Sequence, residues 1–256
     1  MLLAAGRGER MRPLTDATPK PLLSVRGKPL LQWPLEALAR GGFGRVVVNT
    51  AWLGEQISAR FGSVFVPQPS SAKHSMLLNK EYSADSVQIA YSHEGRDFGG
   101  ALETAGGIAR ALPLLGEVFW VLAGDVFAPD FAFSQAAVER FVASGKLAHL
   151  WLVPNPAHNP RGDFGLSPEG LALNLPTESA QPRYTYSTIG LYRKALFAPP
   201  CCDIPVGNPQ GLKAPLAALL RAAMDNQRVS AELYQGAWAD VGTPARLDEL
   251  NQITKS

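Results

Sequence analysis

The stretch "LLAAGRGERMRPLTDATPKPLL", residues 2–23, decides the fold of this chain. Its apolar start stops at Gly6 and Gly8, and a row of cations follows as far as Lys20. A short apolar run that ends at glycine is typical of a buried strand that leads into a ligand-facing loop. The exposed amides of such a loop, with Arg10 and Lys20 beside them, predict a site for an anion.

Two familiar phosphate-binding loops fit this stretch poorly. Met11 stands where the dinucleotide-binding fingerprint G-x-G-x-x-G has its third glycine, and no acidic residue stands out about 20 positions later. A nicotinamide-dependent oxidoreductase is therefore disfavoured. No G-K-[ST] follows the glycines, so the loop is not a Walker loop either. For Arg7 and Arg12, a phosphate contact and a plain basic turn both remain open.

Composition narrows the classes of protein that need to be considered. The 256 residues are 46% hydrophobic and 18% charged, with a net charge of +2, so nucleic acid is not expected as a partner. No apolar run reaches the roughly 20 residues of a membrane helix, and because the first residues lack the apolar region of a signal peptide, none is expected there. Cys201 and Cys202 are adjacent, which suits neither a disulfide nor a zinc site. We expect a cytoplasmic protein with reduced thiols and no membrane partner.

The pattern along the chain predicts the α/β class. A helix is expected within residues 28–44, a valine-rich strand at 45–51 and a second helix at 53–62. This order is typical of a Rossmann-like, mostly parallel sheet that helices flank. A polar excursion at 67–86 interrupts the pattern before the next strand. We expect one domain over 1–256.

The second half of the chain predicts an additional sheet region. The apolar strand "VFWVLAGDV" at 118–126 delivers Asp125, and residues 161–192 alternate and turn like antiparallel strands. Residues 1–130 are expected to form the ligand-binding part of the main sheet. Residues 131–256 are expected to supply the inserted sheet region over its ligand edge and the closing helices.

Two isolated carboxylates predict a magnesium site. Asp125 follows a buried strand, at the end where open α/β sheets bind ligands. Asp240 lies between an apolar strand and a glycine turn in "GAWADVGTP". Oxygens from two distant segments, completed by phosphate and water, are a usual way of holding Mg²⁺. The alternative for either residue is a cap or a turn.

The chain offers no other catalytic constellation. Its four histidines lie in unrelated contexts and are expected to be structural or exposed, and no G-x-S-x-G motif is present. A phosphate monoester needs no general base, because its second pKa is about 6 and it is already a dianion near neutral pH. Positioning, charge neutralisation and a metal dominate such a transfer.

The chain resembles the sugar-1-phosphate nucleotidylyltransferases over nearly its whole length. The resemblance is carried by the glycine loop together with the stretches "AGDV" and "WADVGT". The opening matches an apolar strand, G-x-G-x-R-[ML] and then Lys-Pro. The resemblance implies a nucleotide-binding α/β sheet (1–130) with an inserted sugar-binding sheet region (131–256). It also implies Mg²⁺ as cofactor, and a nucleoside triphosphate and a sugar 1-phosphate as partners, in a monomer or homodimer.

The resemblance also implies roles for individual residues. Arg10 would stabilise the departing pyrophosphate, Lys20 would hold the phosphates at the reacting centre, and Asp125 and Asp240 would hold Mg²⁺. The residues expected beside the nucleotide are Ala4, Ala5, Gly6, Gly8, Glu103, Thr104, Gly106 and Gly107. Those expected beside the sugar are Asn155, Gly162, Asp163 and Ser187.

Several stretches, among them "LETAGGI", "NPAHNPRGDFGL" and "YSTIGLY", look most like the bacterial members that join UTP to N-acetylmuramate 1-phosphate in cell-wall recycling. The lactyl carboxylate of that sugar calls for a cation, and Arg161 and Lys213 are the candidates. GTP with mannose 1-phosphate, dTTP or UTP with glucose 1-phosphate, and a non-catalytic sensor of nucleotide sugars remain alternatives. Members of the family usually carry two or three more residues before the equivalent of Leu2, so two alternatives stay open: the start lies a little upstream, or the first strand is simply short.

Overall fold

A computed structural model describes residues 1–67 and 86–252, and the expected excursion at 67–86 lies almost entirely outside them. The strands are β1 (Leu2–Ala4), β2 (Ser24–Val25), β3 (Lys28–Pro29), β4 (Arg45–Thr50), β5 (Val64–Phe65), β6 (Val87–His93), β7 (Val118–Ala123), β8 (Val126–Phe127), β9 (Ala148–Val153), β10 (Phe164–Leu166), β11 (Ala172–Leu173), β12 (Arg183–Arg193), β13 (Val229–Leu233) and β14 (Ala239–Asp240). The helices are α1 (Leu14–Ala17), α2 (Gln32–Arg40), α3 (Gly54–Phe61), α4 (Glu94–Phe98), α5 (Glu103–Ala111), α6 (Gln135–Ser144), α7 (Leu216–Asp225) and α8 (Pro244–Gln252).

One ten-stranded mixed sheet forms the centre of the molecule. Its main path runs β11-β10-β12-β7-β1-β4-β6-β5, while β9 pairs with β12 and β13 pairs with β9. The strands β7, β1, β4 and β6 are mutually parallel, and so are β9 and β13. Helices cover both faces of this mostly parallel arrangement. The predicted α/β class with a Rossmann-like sheet is confirmed.

The strand β12 joins the inserted sheet region to the central sheet, because it pairs with strands of both. The last four residues of this strand pair with β7, whereas its first two residues pair with β10. Its register against β9 shifts between Tyr186 and Gly190, so the strand bulges at this point. Both predicted parts of the domain therefore contribute strands to one sheet.

Successive side chains along the buried strands point to opposite faces of the sheet, and this alternation divides the main core into two clusters. On β7, Phe119 and Val121 face the cluster that α5 and α7 cover, whereas Trp120 and Leu122 face the cluster under α2, α3 and α6. A period of two along a strand buried on both faces produces this division. The central strands thus hold their carboxyl ends fixed between two apolar layers.

A third, smaller apolar cluster lies apart from the two main ones. Its fully enclosed members come from segments that are far apart in the sequence: Met11, Val25, Leu30, Phe127, Val241 and Leu247. Met11 belongs to the glycine loop, and Phe127 and Val241 belong to the segments that follow the two candidate metal ligands. We call these six residues the loop cluster.

The helix boundaries agree with the sequence pattern apart from two details. The helix expected within 28–44 starts at Gln32, with Pro34 in its first turn, because Lys28 and Pro29 pair with β2 instead. The stretch "ETAGGIARALPLLG" (103–116) predicts a helix that is entered through its glycine pair, whereas α5 already begins at Glu103 and holds Gly106 and Gly107 inside it. No described helix has the length and apolar character needed to cross a bilayer.

Candidate active site

The glycine loop leaves the carboxyl end of β1 and turns back over it. Ala4 is buried and its amide donates to the side chain of Asn49 at 2.8 Å. Gly6 is exposed, and a Cβ there would touch nothing within 4 Å, so its backbone is open to a ligand. Gly8 has φ 69°, and a Cβ would lie 3.1 Å from Thr15 and 3.3 Å from Lys20. Glycine is therefore needed at this position for both conformation and space.

Met11 explains why the third glycine of the dinucleotide fingerprint is missing. Its side chain is fully buried in the loop cluster, so it anchors the loop to the protein. The neighbouring Arg10 is exposed and makes no hydrogen bond or ion pair within 1–67 and 86–252. The Arg7 guanidinium stacks over Trp52 at 3.4 Å, and Arg12 pairs with Asp16 at 2.8 Å. Of the three arginines, Arg10 is the one that the described protein leaves unengaged.

The two candidate metal ligands are brought together by a short antiparallel ladder. In β8 and β14, Val126 pairs with Asp240, and the amide of Val241 donates to the backbone oxygen of Asp125 at 2.8 Å. Lys20 is 8% exposed and its Nζ lies 2.5 Å from Oδ2 of Asp125. The structure thus brings Lys20, Asp125 and Asp240, from three distant segments, into one site.

Asp240 has two neighbours, Arg246 and His158, that sequence reasoning missed. Its Oδ1 accepts from Nη1 of Arg246 and lies 3.0 Å from Nε2 of His158. Arg246 also donates to the backbone oxygen of Asp240 at 3.1 Å. The spacing of six residues between Arg246 and Asp240 was a readable signal, because α8 starts at Pro244 and turns back. His158 comes from the loop after β9, and nothing in its local sequence indicates this contact.

The two carboxylates fit a magnesium ion whose shell a substrate completes. Each has one oxygen engaged by a cation, and its other oxygen has no hydrogen-bond partner within the described part of the chain. Within the same part, no group of three or more His, Cys, Asp or Glu side chains could hold a metal alone. Two carboxylate oxygens with phosphate and water are the hard donors that Mg²⁺ prefers.

A cavity of about 560 Å³ opens at the carboxyl ends of β1 and β7, and Lys20, Asp125 and Asp240 are not among its lining residues. Its floor includes Leu3 and Ala123, at the carboxyl ends of β1 and β7, and Ala123 is two residues before Asp125. The other lining residues come from α5, the inserted sheet region and α7: Glu103, Thr104, Val121, Asp163, Phe164, Tyr186, Thr188, Pro215, Leu216, Ala217, Leu220 and Arg221. The cavity therefore borders both the residues predicted for the nucleotide and those predicted for the sugar.

The four predicted residues of α5 divide into two pairs. Glu103 and Thr104 line the cavity, and Glu103 has φ 59° at the first position of the helix. Gly106 and Gly107 are buried inside the helix. A Cβ on Gly106 would lie 2.4 Å from the backbone oxygen of Leu212, and one on Gly107 would lie 2.5 Å from the Glu94 carboxylate. Close packing accounts for these two glycines, and their contact with a nucleotide stays a prediction.

The Glu94 carboxylate supports the backbone that leads into α5. It is fully buried and accepts from Nδ2 of Asn49 at 2.6 Å and from the amide of Leu102 at 2.8 Å. Burial is the main effect on this group and raises the pKa of Glu94, while the two hydrogen bonds act in the opposite direction. Glu94 therefore ties β4 to the segment that presents Glu103.

Three of the predicted sugar residues form one connected loop structure. Asn155 donates to the backbone oxygen of Arg183 at 2.9 Å, and Gly162 packs directly against Asn155 with φ 60°. Asp163 accepts from the amide of Tyr186 at 2.9 Å and lines the cavity. Of these three, Asp163 is the residue that the structure places in the cavity wall, and the other two shape its loop.

The bulge in β12 separates Ser187 from its neighbour. Ser187 is fully buried, and its hydroxyl donates to the backbone oxygen of Trp151 at 2.6 Å and accepts from the amide of Ile189. Thr188, with φ 64°, lines the cavity, and its enclosed hydroxyl has no partner within the described residues. Sequence reasoning missed Thr188, because a bulge inside an alternating strand leaves no local signal. The sugar contact assigned to Ser187 stays a prediction.

Comparison with known proteins agrees with this geometry. The nucleotidyl transferase family model matches residues 1–256.

The chain belongs to the nucleotidyl transferase family. It is 46% identical, over 99% of its length and 96% of the relative's, to an N-acetylmuramate alpha-1-phosphate uridylyltransferase of Neisseria meningitidis serogroup B. It is 28% identical to a protein of the same name from Caulobacter vibrioides, over 95% and 91% of the two chains. A solved apo UDP-glucose pyrophosphorylase superposes with a TM-score of 0.69 at 17% identity, covering 99% and 96%, and shows the same fold.

Proposed function

We propose that this nucleotidyl transferase moves the uridylyl group of UTP to N-acetylmuramate α-1-phosphate and releases pyrophosphate, in the cytoplasmic recycling of cell wall. The observation that carries the proposal is the meeting of Lys20, Asp125 and Asp240 beside a cavity that also borders the inserted sheet region. The 46% identity to the meningococcal uridylyltransferase supports the choice of base and sugar.

The reaction is an in-line displacement at the α-phosphorus. An oxygen of the sugar phosphate forms a new bond to this phosphorus, while the bond to the oxygen that bridges to the β-phosphate breaks and pyrophosphate leaves with the electron pair. The attacking phosphate needs no base to deprotonate it, because it is a dianion near pH 7. The protein supplies position and positive charge, which dominate such transfers.

The residues of the glycine loop and its surroundings divide this work. The amides of Gly6 and Gly8 cradle the triphosphate, and the exposed Arg10 stabilises the departing pyrophosphate. Lys20, held at 2.5 Å from Asp125, neutralises charge at the reacting α-phosphate. Its buried ion pair fixes the ammonium in advance, so little reorganisation is needed when the substrates arrive.

Mg²⁺ would be a second source of positive charge in the site, in addition to the cationic side chains. Asp125 and Asp240 would hold it through the carboxylate oxygens that the protein leaves unpaired, and the bound ion would neutralise phosphate charge. Arg246 and His158 orient Asp240 toward this role by binding its other oxygen.

The two ends of the cavity suit the two substrates. We assign the nucleotide to the side of Glu103 and Thr104, together with Ala4 and Ala5 at the start of the glycine loop, and the sugar to the side of Asp163. Gly106 and Gly107 support the first side, and Asn155, Gly162 and Ser187 support the second through their packing and hydrogen bonds. We propose a monomer or a homodimer as the functional state.

A substrate panel tests the proposal. UTP, GTP, dTTP and CTP are crossed with the 1-phosphates of N-acetylmuramate, N-acetylglucosamine, mannose and glucose, and pyrophosphate release is measured with Mg²⁺. UTP with N-acetylmuramate 1-phosphate should give the highest kcat/KM, and Asp125→Asn and Asp240→Asn should each fold normally and lose most turnover. Preference for GTP with mannose 1-phosphate would refute the substrates, while release with no pair at all would indicate a nucleotide-sugar sensor.

A further inference from the structure

The described lining of the cavity contains a single cation. Its polar members include the carboxylates of Glu103 and Asp163, and Arg221 is the one residue there that carries positive charge. Arg221 lies in the second turn of α7 and lines the cavity together with Leu216, Ala217 and Leu220 of the same helix. Positive charge at this point is separate from the phosphate machinery at Lys20 and Asp125.

The Arg221 guanidinium is held in a defined orientation. Its Nη1 donates to Oδ1 of Asn174 at 2.6 Å, and its central carbon lies 5.1 Å from the centre of the Phe164 ring. Asn174 is oriented in turn, because its Nδ2 donates to both carboxylate oxygens of Asp225 at 3.0 and 3.2 Å. An amide whose nitrogen faces a carboxylate must present its oxygen on the other side, toward Arg221.

Most of the hydrogen-bonding capacity of Arg221 is unused by the protein. A guanidinium has five N–H donors, and the described residues accept from it once, at Asn174. No carboxylate in the described chain forms an ion pair with it, although Glu103 and Asp163 line the same cavity. A planar donor group that is fixed at one edge and free at the other matches a carboxylate, which it can bind through two parallel hydrogen bonds.

The surroundings of Arg221 favour a carboxylate on a small organic group over a second phosphate. The lining next to it on α7, which includes Leu216 and Leu220, is apolar. The glycine loop and Lys20 already provide for phosphate at the end near Asp125. The lactyl ether of N-acetylmuramate combines a methyl group with a carboxylate, so it can use both the apolar wall and the cation.

We propose that Arg221 binds the lactyl carboxylate of the sugar substrate and sets the preference for N-acetylmuramate 1-phosphate over N-acetylglucosamine 1-phosphate. The inference rests on the proposed function, and it replaces the two cations that the sequence suggested for this task. Arg161 and Lys213 are both exposed, and neither lines the cavity. Asn174 and Phe164 act as positioning residues for the guanidinium.

The test compares two sugars that differ only in the lactyl group. Steady-state kcat/KM is measured with UTP for N-acetylmuramate 1-phosphate and N-acetylglucosamine 1-phosphate, in the wild type and in Arg221→Gln, Arg221→Lys and Lys213→Gln. Lys213→Gln is the matched control, because it removes one positive charge eight residues away from an exposed side chain. Thermal unfolding of each variant is recorded in parallel.

Arg221→Gln should lower kcat/KM for the muramate substrate about 10- to 100-fold, the range expected for losing a charged hydrogen-bonded pair. The loss should fall mainly on KM, and the value for N-acetylglucosamine 1-phosphate should stay within about threefold. Arg221→Lys should restore part of the loss, since it keeps the charge but not the two parallel hydrogen bonds. Lys213→Gln should behave as the wild type.

Two results would overturn the inference and tell its failure apart from that of the proposed function. If the wild type prefers N-acetylmuramate 1-phosphate and Arg221→Gln keeps that preference, or loses both activities equally, Arg221 does not bind the lactyl group although the proposed sugar stands. If the wild type itself shows no preference for the muramate substrate, the proposed sugar fails and the inference fails with it.

Discussion

Replacing Gly107 by alanine should destabilise the protein strongly, although alanine is the better helix former. Gly107 lies inside α5, where the change to alanine alone is worth up to about 1 kcal/mol of stabilisation. The added Cβ would lie 2.5 Å from Oε1 of Glu94 and 3.0 Å from Nδ2 of Asn49. Ordinary contact begins at 3.4 Å, so the carboxylate would have to retreat by about 0.9 Å.

The carboxylate has no room for that retreat. It is fully buried and bound at 2.6 Å to Asn49 and at 2.8 Å to the amide of Leu102. Losing one hydrogen bond to a charged group costs about 1.5–3 kcal/mol, and overpacking a core costs about 1–3 kcal/mol. After the helix-propensity gain of about 1 kcal/mol is subtracted from the two costs combined, we expect a net destabilisation of about 1.5–5 kcal/mol, which lowers Tm by about 3–20 °C in a domain of this size.

The assay is urea unfolding followed by far-UV circular dichroism, with thermal melts in parallel. Gly100→Ala is the matched control, because a Cβ there would meet nothing within 4 Å and the glycine has no positive φ. Its free energy of unfolding should stay the same or rise by up to about 1 kcal/mol. A Gly107→Ala variant as stable as the wild type would refute the reasoning, because it would mean that the Glu94 contact yields without cost.

Two further variants test the active site and the packing of α4 on α5. Lys20→Met should lower the single-turnover rate about 10²- to 10³-fold, as expected for losing a positioned charge, and a rate within threefold of the wild type would remove Lys20 from the chemistry. Hydrogen bonds from Arg96 and Arg110 hold the pKa of Asp97 below its usual value, so the stability they provide is present above pH 3.8 and is lost as the pH falls below it. Asp97→Asn should therefore lower Tm by about 1–3 °C at pH 7 and progressively less below pH 4, and a difference independent of pH would contradict this explanation.

The sequence predicts those features of the fold that depend on local pattern. The spacing of apolar residues and the positions of glycines predict the helices and the central strands, because the buried face of a helix and that of a strand repeat at different intervals along the sequence. Met11 was read correctly as a departure from the dinucleotide fingerprint, but the sequence alone could not reveal that its side chain anchors the loop. That role depends on Phe127 and Val241, which reach the same cluster only in the folded chain.

The parts of the site that the sequence does not predict depend on contacts made only in the folded chain. His158 reaches Asp240 from the distant loop after β9, and no local spacing encodes that contact, whereas Arg246 lies only six residues after Asp240. Thr188 enters the cavity through a bulge, which shifts its side chain relative to the alternating pattern. Arg221 appears in the sequence as one more polar position of an amphipathic helix, and only the folded chain shows that it lines the cavity with most of its donors unused.

The loop cluster gives the reaction centre an apolar support of its own, in addition to the two main cores. Met11, Phe127 and Val241 tie the phosphate-binding loop and the two carboxylate segments to each other, and they share no member with the cores beneath the cavity walls. Substitutions in α7 or in β10–β12 can thus reshape the space for the sugar while the triphosphate-handling parts keep their foundation. For an engineer, or for natural selection, this separation means that a new acceptor sugar can be gained by altering one wall without rebuilding the reaction centre.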